Sequence, residues 1–303
     1  MTGRVVVIGD ALIDELRDDN GVREFVGGAA LNVAVGIARL GLPTALIAMV
    51  GDDAAGAHIR SYLEDFGVEL LASPSAFGSS RAVSVRAGGA EPVYEFNEAA
   101  QKRRVRFGEA EHAAIADAPI VVVSCFPFDD VAQTLELAGA VAEARLVIDP
   151  NPRSGMLRDR VEFVRGFEAL AARAELVKVG DDDAALLYGA PLDELRAHLI
   201  DLGVDAVVAT QGAGGASVEA GEIIVTRPIS HLPGHVVDTM GAGDAVLAVF
   251  AAALVDAPPD EEEAWGDVLQ RAMDVAAATC RFEGALLRLP AALEGTDLDR
   301  IGT

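Results

Sequence analysis

The sequence predicts an α/β protein built on a largely parallel sheet with helices on both faces. Three observations predict it. Short β-branched runs alternate with Ala- and Leu-rich helical stretches, and several of those stretches close on a glycine. Apolar residues make up 51% of the chain but aromatic ones only 5%, so Ala, Val and Leu must fill the core. A chain of 303 residues with this composition has ample apolar area for one stable core. No linker, repeat or low-complexity tract divides it.

The elements follow in order. Val5–Ile8, ending at Gly9-Asp10, reads as a first buried strand. Ala29–Leu40 has a helical pattern closed by Gly41, Thr44–Met49 is the next strand, and Ala54–Phe66 is a helix closed by Gly67. Ile120–Ser124, Leu146–Asp149, Leu176–Val179 and Ala206–Thr210 continue the strands. Val131–Ala142, Asp181–Tyr188 and Leu192–Leu202 continue the helices, the last two closed by Gly189 and Gly203. One stretch breaks the rhythm. Arg81–Ala87 and Val93–Asn97 read as two strands joined by a hairpin at 88–92, and Glu15–Phe25 is an irregular segment with a turn at 18–21. Together they are expected to form a small β flap over the sheet edge, the alternative being plain surface hairpins. The acidic run Asp260–Glu263 reads as a solvated loop or helix start.

Composition excludes several functions. A net charge of −24 argues against nucleic acid as a partner, because phosphate backbones are bound by clustered Lys and Arg. The only lysines are Lys102 and Lys178, and neither is followed by Ser or Thr, so no Walker A loop is present. Cys125 and Cys280 have no metal or redox spacing and read as inert thiols. The run Val5–Ile8 is too short for a signal-peptide core. Ala245–Val255, the longest apolar run, falls well short of the roughly 18 residues of a membrane span. A cytoplasmic protein is expected.

Two glycine-rich turns carry the chemistry. In 238–254, Asp238-Thr239 precedes Gly241-Ala242-Gly243-Asp244 and then an Ala/Val/Leu helix. Glycines before a helix admit a ligand to bare backbone, and the helix N-terminus offers free N–H groups and partial positive charge. Asp244, in the first turn, is placed to accept a proton from a hydroxyl. The same pattern also describes a tight turn with an acidic cap. In the second turn, Gly27-Gly28 opens the helix that carries Asn32, whose amide suits a sugar hydroxyl. Asp10 and Asp14 flank the end of the first strand, where open α/β sheets place ligands. A dinucleotide fold fails, because Gly212-Ala213-Gly214 leads into a strand-like run and Val246 stands where a third glycine would be needed. His231 and His235 are kept off one helical face by Pro233-Gly234, which disfavours a metal hydrolase.

These motifs resemble those of the PfkB/ribokinase carbohydrate kinases. GGAALNVAVGIARLG (27–41) and DTMGAGDAVLAVFAAAL (238–254) are similar to the family's two signatures. GDALID (9–14), DPNPR (149–153), VKVGDDDAALLYG (177–189) and ATQGAGGA (209–216) extend the resemblance over nearly the whole chain. It implies a ribokinase-like three-layer α/β/α sandwich, one domain over 1–303 with a discontinuous β lid inserted at about 11–26 and 79–100. It also implies an ATP-dependent kinase of a sugar hydroxyl, using Mg2+ and, in many members, K+. By resemblance, Asp244 is the base, with the Gly241, Ala242 and Gly243 amides around the transferred phosphate. Asp10, Asp14, Gly27, Gly28, Asn32 and Arg153 fall on the sugar side. Lys178, Asp183, Thr210, Gly212 and Gly215 fall on the nucleotide side, Asp183 being linked to magnesium. Asp238 and Thr239 match a monovalent-cation loop, and a homodimer through the lid is implied.

Met240, Val246 and Val249 depart from the family pattern as packing changes. Gly214 removes a common cationic phosphate contact, and Gly180 replaces a frequent Asn or Ser. The branch resembled is that of fructokinases and 2-keto-3-deoxygluconate kinases, which favours a neutral ketohexose such as fructose. A 2-keto-3-deoxygluconate, ribose or nucleoside kinase is the alternative within the family. A sugar acid or sugar phosphate would need a basic partner, for which Arg81, Arg86 and Arg153 are the candidates. A non-catalytic sugar- or nucleotide-binding regulator is the alternative from another class.

Overall fold

The computed structural model describes residues 3–18, 21–85 and 93–294. Its strands are β1 (Val5–Gly9), β2 (Leu12–Asp18), β3 (Gly21–Gly27), β4 (Thr44–Met49), β5 (Glu69–Ser73), β6 (Ser80–Val85), β7 (Val93–Phe96), β8 (Val121–Ser124), β9 (Leu146–Asp149), β10 (Leu176–Gly180), β11 (Ala206–Thr210), β12 (Ala216–Ala220) and β13 (Ile223–Arg227). Nine of them form one sheet in the order β13-β12-β11-β10-β9-β8-β1-β4-β5. Pairing is parallel from β5 to β11, and β12 and β13 close one edge as antiparallel strands. The other four strands make a separate small sheet, β3-β2-β6-β7.

The helices are α1 (Ala29–Arg39), α2 (Ala54–Asp65), α3 (Glu98–Gln101), α4 (Glu109–Asp117), α5 (Val131–Ala140), α6 (Arg160–Ala171), the single turn α7 (Asp181–Asp183), α8 (Leu192–Leu202), α9 (Ala242–Leu254) and α10 (Glu262–Thr279). Strand alternation sorts them into two outer layers. Val5, Val7, Leu46, Val122, Val147 and Val208 pack on one face with α1, α2, α9 and α10. Val6, Ile8, Ile47, Val123, Ile148 and Val207 pack on the other with α4, α5, α6 and α8. The parallel strands are buried on both faces, which is why they read as continuous apolar runs.

The chain leaves β1 for β4 and β5 on one side, then crosses to β8 on the other. That reversal opens a crevice beyond the carboxyl ends of β1 and β8, the position where open α/β sheets bind ligands. Over it, α1 and α9 lie in contact: a Cβ at Gly36 would stand 3.0 Å from the Ala248 Cβ, so the small residue sets how closely they approach.

The helix expected at Asp181–Tyr188 is one α-turn followed by a π-turn, Ala184–Tyr188, ended by Gly189 at φ 62°. The Gly189 N–H reaches back to the Ala184 and Ala185 carbonyls, and the Leu187 carbonyl, whose helical partner would be Pro191 with no N–H to give, accepts instead from the Arg160 guanidinium at 2.9 Å. Strand pairing also reaches further than expected at Glu15–Phe25: Leu12 to Asp18 pair with Gly27 to Gly21 in full register. The expected turn at 18–21 and hairpin at 88–92 extend into residues 19–20 and 86–92, outside the described ones, as does Arg86.

Phe128 is fully buried and sits against Phe126, Phe163 and Phe167, with centroids 5.4–5.9 Å away. Phe128→Ala should lower unfolding free energy by about 3–5 kcal/mol in urea, a cavity cost. Leu135→Ala, at a site 69% exposed, should change it by less than about 0.5 kcal/mol.

Candidate active site

The crevice collects its functional groups from strand ends and from two helix N-termini. Asp10 follows β1, Asp149 ends β9, Lys178 lies on β10, and Asp244 is in the first turn of α9. The in-register pairing of β8, β9 and β10 sets Ser124, Asp149 and Lys178 side by side at one level. Near these ends the backbone takes left-handed conformations at two non-glycine residues, Cys125 (φ 51°) and Asn151 (φ 38°). Such strain persists only where the surroundings enforce it.

Asp244 is buried, and its Oδ2 accepts a hydrogen bond from Asn32 Nδ2 at 2.8 Å. Burial pushes its carboxyl up to about 6; the Asn32 bond works against this, Asp149 adds to it, and Lys178 and Arg153 oppose it. Gly241 precedes it in the left-handed region (φ 76°), and a Cβ there would come within 2.7 Å of Ala285. The Ala242 N–H bonds to the Thr239 carbonyl at 3.3 Å. Among the described residues the N–H groups of Gly243 and Asp244 meet no acceptor, the usual state of a free helix N-terminus.

At the glycine turn before α1, Asp10 anchors the start of that helix, its Oδ1 accepting from the Ala30 N–H at 3.0 Å. Gly28, at φ 105°, lies over the Asp10–Ala11 backbone, where a Cβ would be 2.9 Å from the Asp10 carbonyl. Gly27 leaves room for the Asp14 carboxylate, whose Oδ2 stands 2.2 Å from where a Cβ would be. Burial pushes Asp14 up to about 7, with Asp10, Asp244 and Asp238 adding to the rise and Arg153 opposing it. Arg153 is exposed and within electrostatic reach of Asp10, Asp14 and Asp244. Arg103 also acts on Asp10, but its guanidinium is committed to the Ala100 and Cys125 carbonyls. Arg81 is spent on Glu15 and Glu24.

On the other side of Asp244, the buried Lys178 ammonium lies 3.1 Å from Asp149 Oδ2. Burial alone would lower its pKa; Asp149, Asp183 and Asp244 outweigh that and raise it, so the group stays cationic. A Cβ on Gly243 would be 3.1 Å from Lys178 Nζ, which puts the only buried lysine of the described chain beneath the α9 turn. Asp149 Oδ1 is buried without a partner. Asp183 accepts from the Gly180 N–H at 2.6 Å, and its carboxyl is raised chiefly by burial. Thr210 borders Gly180, its hydroxyl 3.2 Å from a Cβ position there.

Other expected residues stand apart. Gly212 (φ 48°) and Gly215 (φ 94°) shape the turn after β11, and a Cβ at Gly215 would overlap the Arg227 carbonyl at 2.2 Å. Both Asp238 oxygens accept backbone N–H groups, from Met240 at 3.1 Å and Gly284 at 3.2 Å, so this carboxylate shapes the loop. Thr239 is exposed beside it. Sequence reasoning did not single out Asp149, although it opens DPNPR, and gave no sign of the segment 280–285. Cys280 O accepts from Val237 N at 2.8 Å, and Ala285 closes over Gly241.

The family model described as pfkB family carbohydrate kinase matches residues 2–292. The chain is similar to the fructokinase of Rhizobium leguminosarum bv. trifolii, 30% identical over 82% of this chain and 79% of that protein. It is similar in structure to the Salmonella enterica aminoimidazole riboside kinase complexed with aminoimidazole riboside and an ATP analogue, with TM-score 0.73 and 26% identity over 96% and 98% of the two chains. A Vibrio cholerae fructokinase in a fructose-, ADP- and potassium-bound form shares the fold, with TM-score 0.77, 23% identity and 94% coverage of each chain. Among the described residues no helix is long and apolar enough to cross a membrane.

Because the folded-state value of Asp14 lies near 7 against an ordinary 3.8, its ionised form costs folding free energy. That cost is absent below 3.8 and complete above about 7. Asp14→Asn should therefore raise Tm at pH 8, and the gain should shrink to nothing as the pH falls to 3.8.

Proposed function

The chain belongs to the pfkB family of carbohydrate kinases, phosphotransferases whose acceptor is an alcohol group of a sugar, and from that premise we propose that it transfers the γ-phosphate of ATP to a neutral ketohexose such as fructose. The observation that carries the reading is the Asn32–Asp244 bond at the α9 N-terminus. It pins one oxygen of a buried carboxylate and leaves the other for a hydroxyl, beside backbone N–H groups that have no acceptor of their own.

The acceptor hydroxyl gives its proton to the free oxygen of Asp244 as its own oxygen attacks the γ-phosphorus. The bond from that phosphorus to the bridging oxygen breaks, and ADP leaves with the electron pair. In such a transfer the protein mainly positions groups and neutralises charge. Here the Gly243 and Asp244 N–H groups and the helix dipole face the phosphate, and Lys178, held cationic by Asp149, adds charge beneath them. Thr210, Gly212 and Gly215 form the nucleotide edge. Among the described residues no three His, Cys, Asp or Glu side chains are grouped to hold a metal ion. Asp183 by itself suits a magnesium ion bound chiefly through phosphate oxygens and water, whose charge would offset that of the phosphates. Asp238 and Thr239 are the proposed edge of a monovalent-cation site; the Vibrio fructokinase form is potassium-bound. The small sheet is the proposed lid, closing over the sugar and excluding water.

Neutrality of the acceptor follows from charge. Asp10, Asp14 and Asp244 face the proposed sugar end, with Arg153, among the described residues, as the one cation there not committed to another protein group. A phosphate or carboxylate on the substrate would meet this negative field with little to offset it.

ADP release should be measured over a panel of fructose, ribose, 2-keto-3-deoxygluconate, fructose 6-phosphate and aminoimidazole riboside. Fructose should give the highest kcat/KM, and the acidic sugars the lowest. Binding without ADP release for every sugar would establish the regulator instead. Asp244→Asn should cut kcat by about 10²–10⁴-fold with ATP affinity kept. In the wild type, log kcat/KM should climb with pH and level off above about 6, the value to which burial raises Asp244.

A further inference from the structure

A second cluster of positive charge lies at the other end of α1. Arg39 is in the last turn of that helix, about 10 Å of helix rise from Asn32. Its guanidinium lies over the Phe66 ring, 5.6 Å from the centroid, while that of Arg288 lies over Phe282 at 4.8 Å. Tyr62 packs edge-on against Phe66 with centroids 4.9 Å apart. Both arginines are half-buried, and the Nε of each is buried without a partner. Among the described residues they are the only arginines at least partly buried whose guanidinium has no hydrogen bond or ion pair.

This is unusual in a chain with 48 acidic residues against 24 basic ones, where a carboxylate partner is easily found. The groups acting on Arg288 are Arg39, which with burial lowers its pKa, and Tyr62; no carboxylate is among them. The negative end of α1 accounts for one cation at Arg39. Stacking on a ring accounts for holding each guanidinium plane. Neither accounts for two like charges within electrostatic reach of each other and of the Tyr62 phenol, on segments that Leu287 packs against Gly36. A pair of stacked forks with free N–H edges is the arrangement that receives a multivalent oxyanion.

We propose that Arg39 and Arg288, with the Tyr62 hydroxyl, form a binding site for a small tetrahedral oxyanion, inorganic phosphate or a phosphomonoester, separate from the transfer site. The site is joined to that turn through the chain itself. Arg288 N bonds Thr279 Oγ1 at 3.0 Å, Leu287 packs on Gly36, Ala285 covers Gly241, and the Gly284 N–H holds Asp238. An anion that draws Arg288 to Arg39 steadies this segment.

The test is calorimetric titration of inorganic phosphate, and separately of glycerol 3-phosphate, into the full chain saturated with a non-hydrolysable ATP analogue. Saturable binding is expected, weakened about tenfold or more by Arg39→Gln and by Arg288→Gln and kept in Asp244→Asn. Whichever anion binds more tightly names the source. Phosphate should also raise amide-exchange protection across residues 280–288. If either glutamine variant fails to fold, Arg39→Lys keeps the charge but loses the fork, and should bind phosphate measurably less well. No saturable binding, or binding equal in wild type and the arginine variants, overturns the site. Unchanged protection during saturable binding overturns the link to the turn. The titration reads binding directly, so its failure is distinct from a failure of the transfer reaction.

Discussion

The hydrogen bond from Asn32 to Asp244 joins residues 212 positions apart and belongs to two helices that must already be packed for it to form. It requires α1 and α9 to lie close enough for Gly36 to meet Ala248, and both N-termini to face the same strand ends. Asp10, by accepting from the Ala30 N–H, fixes the first of those helices to β1. Asp238, by holding the Met240 and Gly284 N–H groups, shapes the approach to the second. The polar contacts of the crevice thus rest on the apolar layer behind them.

Burying so many ionisable groups has an energetic consequence. Asp10, Asp14, Asp183 and Asp244 all have carboxyls raised chiefly by burial, so folding proceeds against their desolvation. The Lys178–Asp149 pair offsets part of this by keeping a cation in the middle of the group. A buried pair of this kind is weak evidence for stability, since apolar residues of similar size often do as well. Its value here is positional: it holds a cation beneath the N-terminus of α9, the turn at which transfer is proposed. The apolar sheet, buried on both faces, provides the stability against which these groups are held.

Most of the architecture was legible along the chain. Thr44–Met49, Leu146–Asp149 and Ala206–Thr210 form strands over the residues expected, because β-branched runs bounded by turns have few other ways to bury themselves. The helices α4 and α6 were harder to read: α6, RVEFVRGFEALA, buries Phe163, Phe167 and Leu170 along one side of an otherwise charged segment. The π-turn at 184–188 could not be read, since its wider bonds, from Gly189 N–H to the Ala184 and Ala185 carbonyls, differ from ordinary helix pairing by only one residue and leave no mark in the apolar pattern.

By itself the sequence determined the α/β class, the glycine turns before α1 and α9, and the identity of Asp244 and Asn32 as reactive types in the right local setting. Those are local properties, set by period, turn chemistry and the free N–H groups of a helix start. Tertiary structure decided which of the many acids stand together. In a chain this acidic, nothing local separates Asp149 from any other aspartate; parallel register with β10 places it beside Lys178. Nothing local predicts that Ala285 would close over Gly241, or that Arg39 and Arg288 would come within electrostatic reach of each other with no carboxylate of the described residues paired to either. Contacts between residues far apart in sequence are fixed by how the layers pack, and only the packed layers show them.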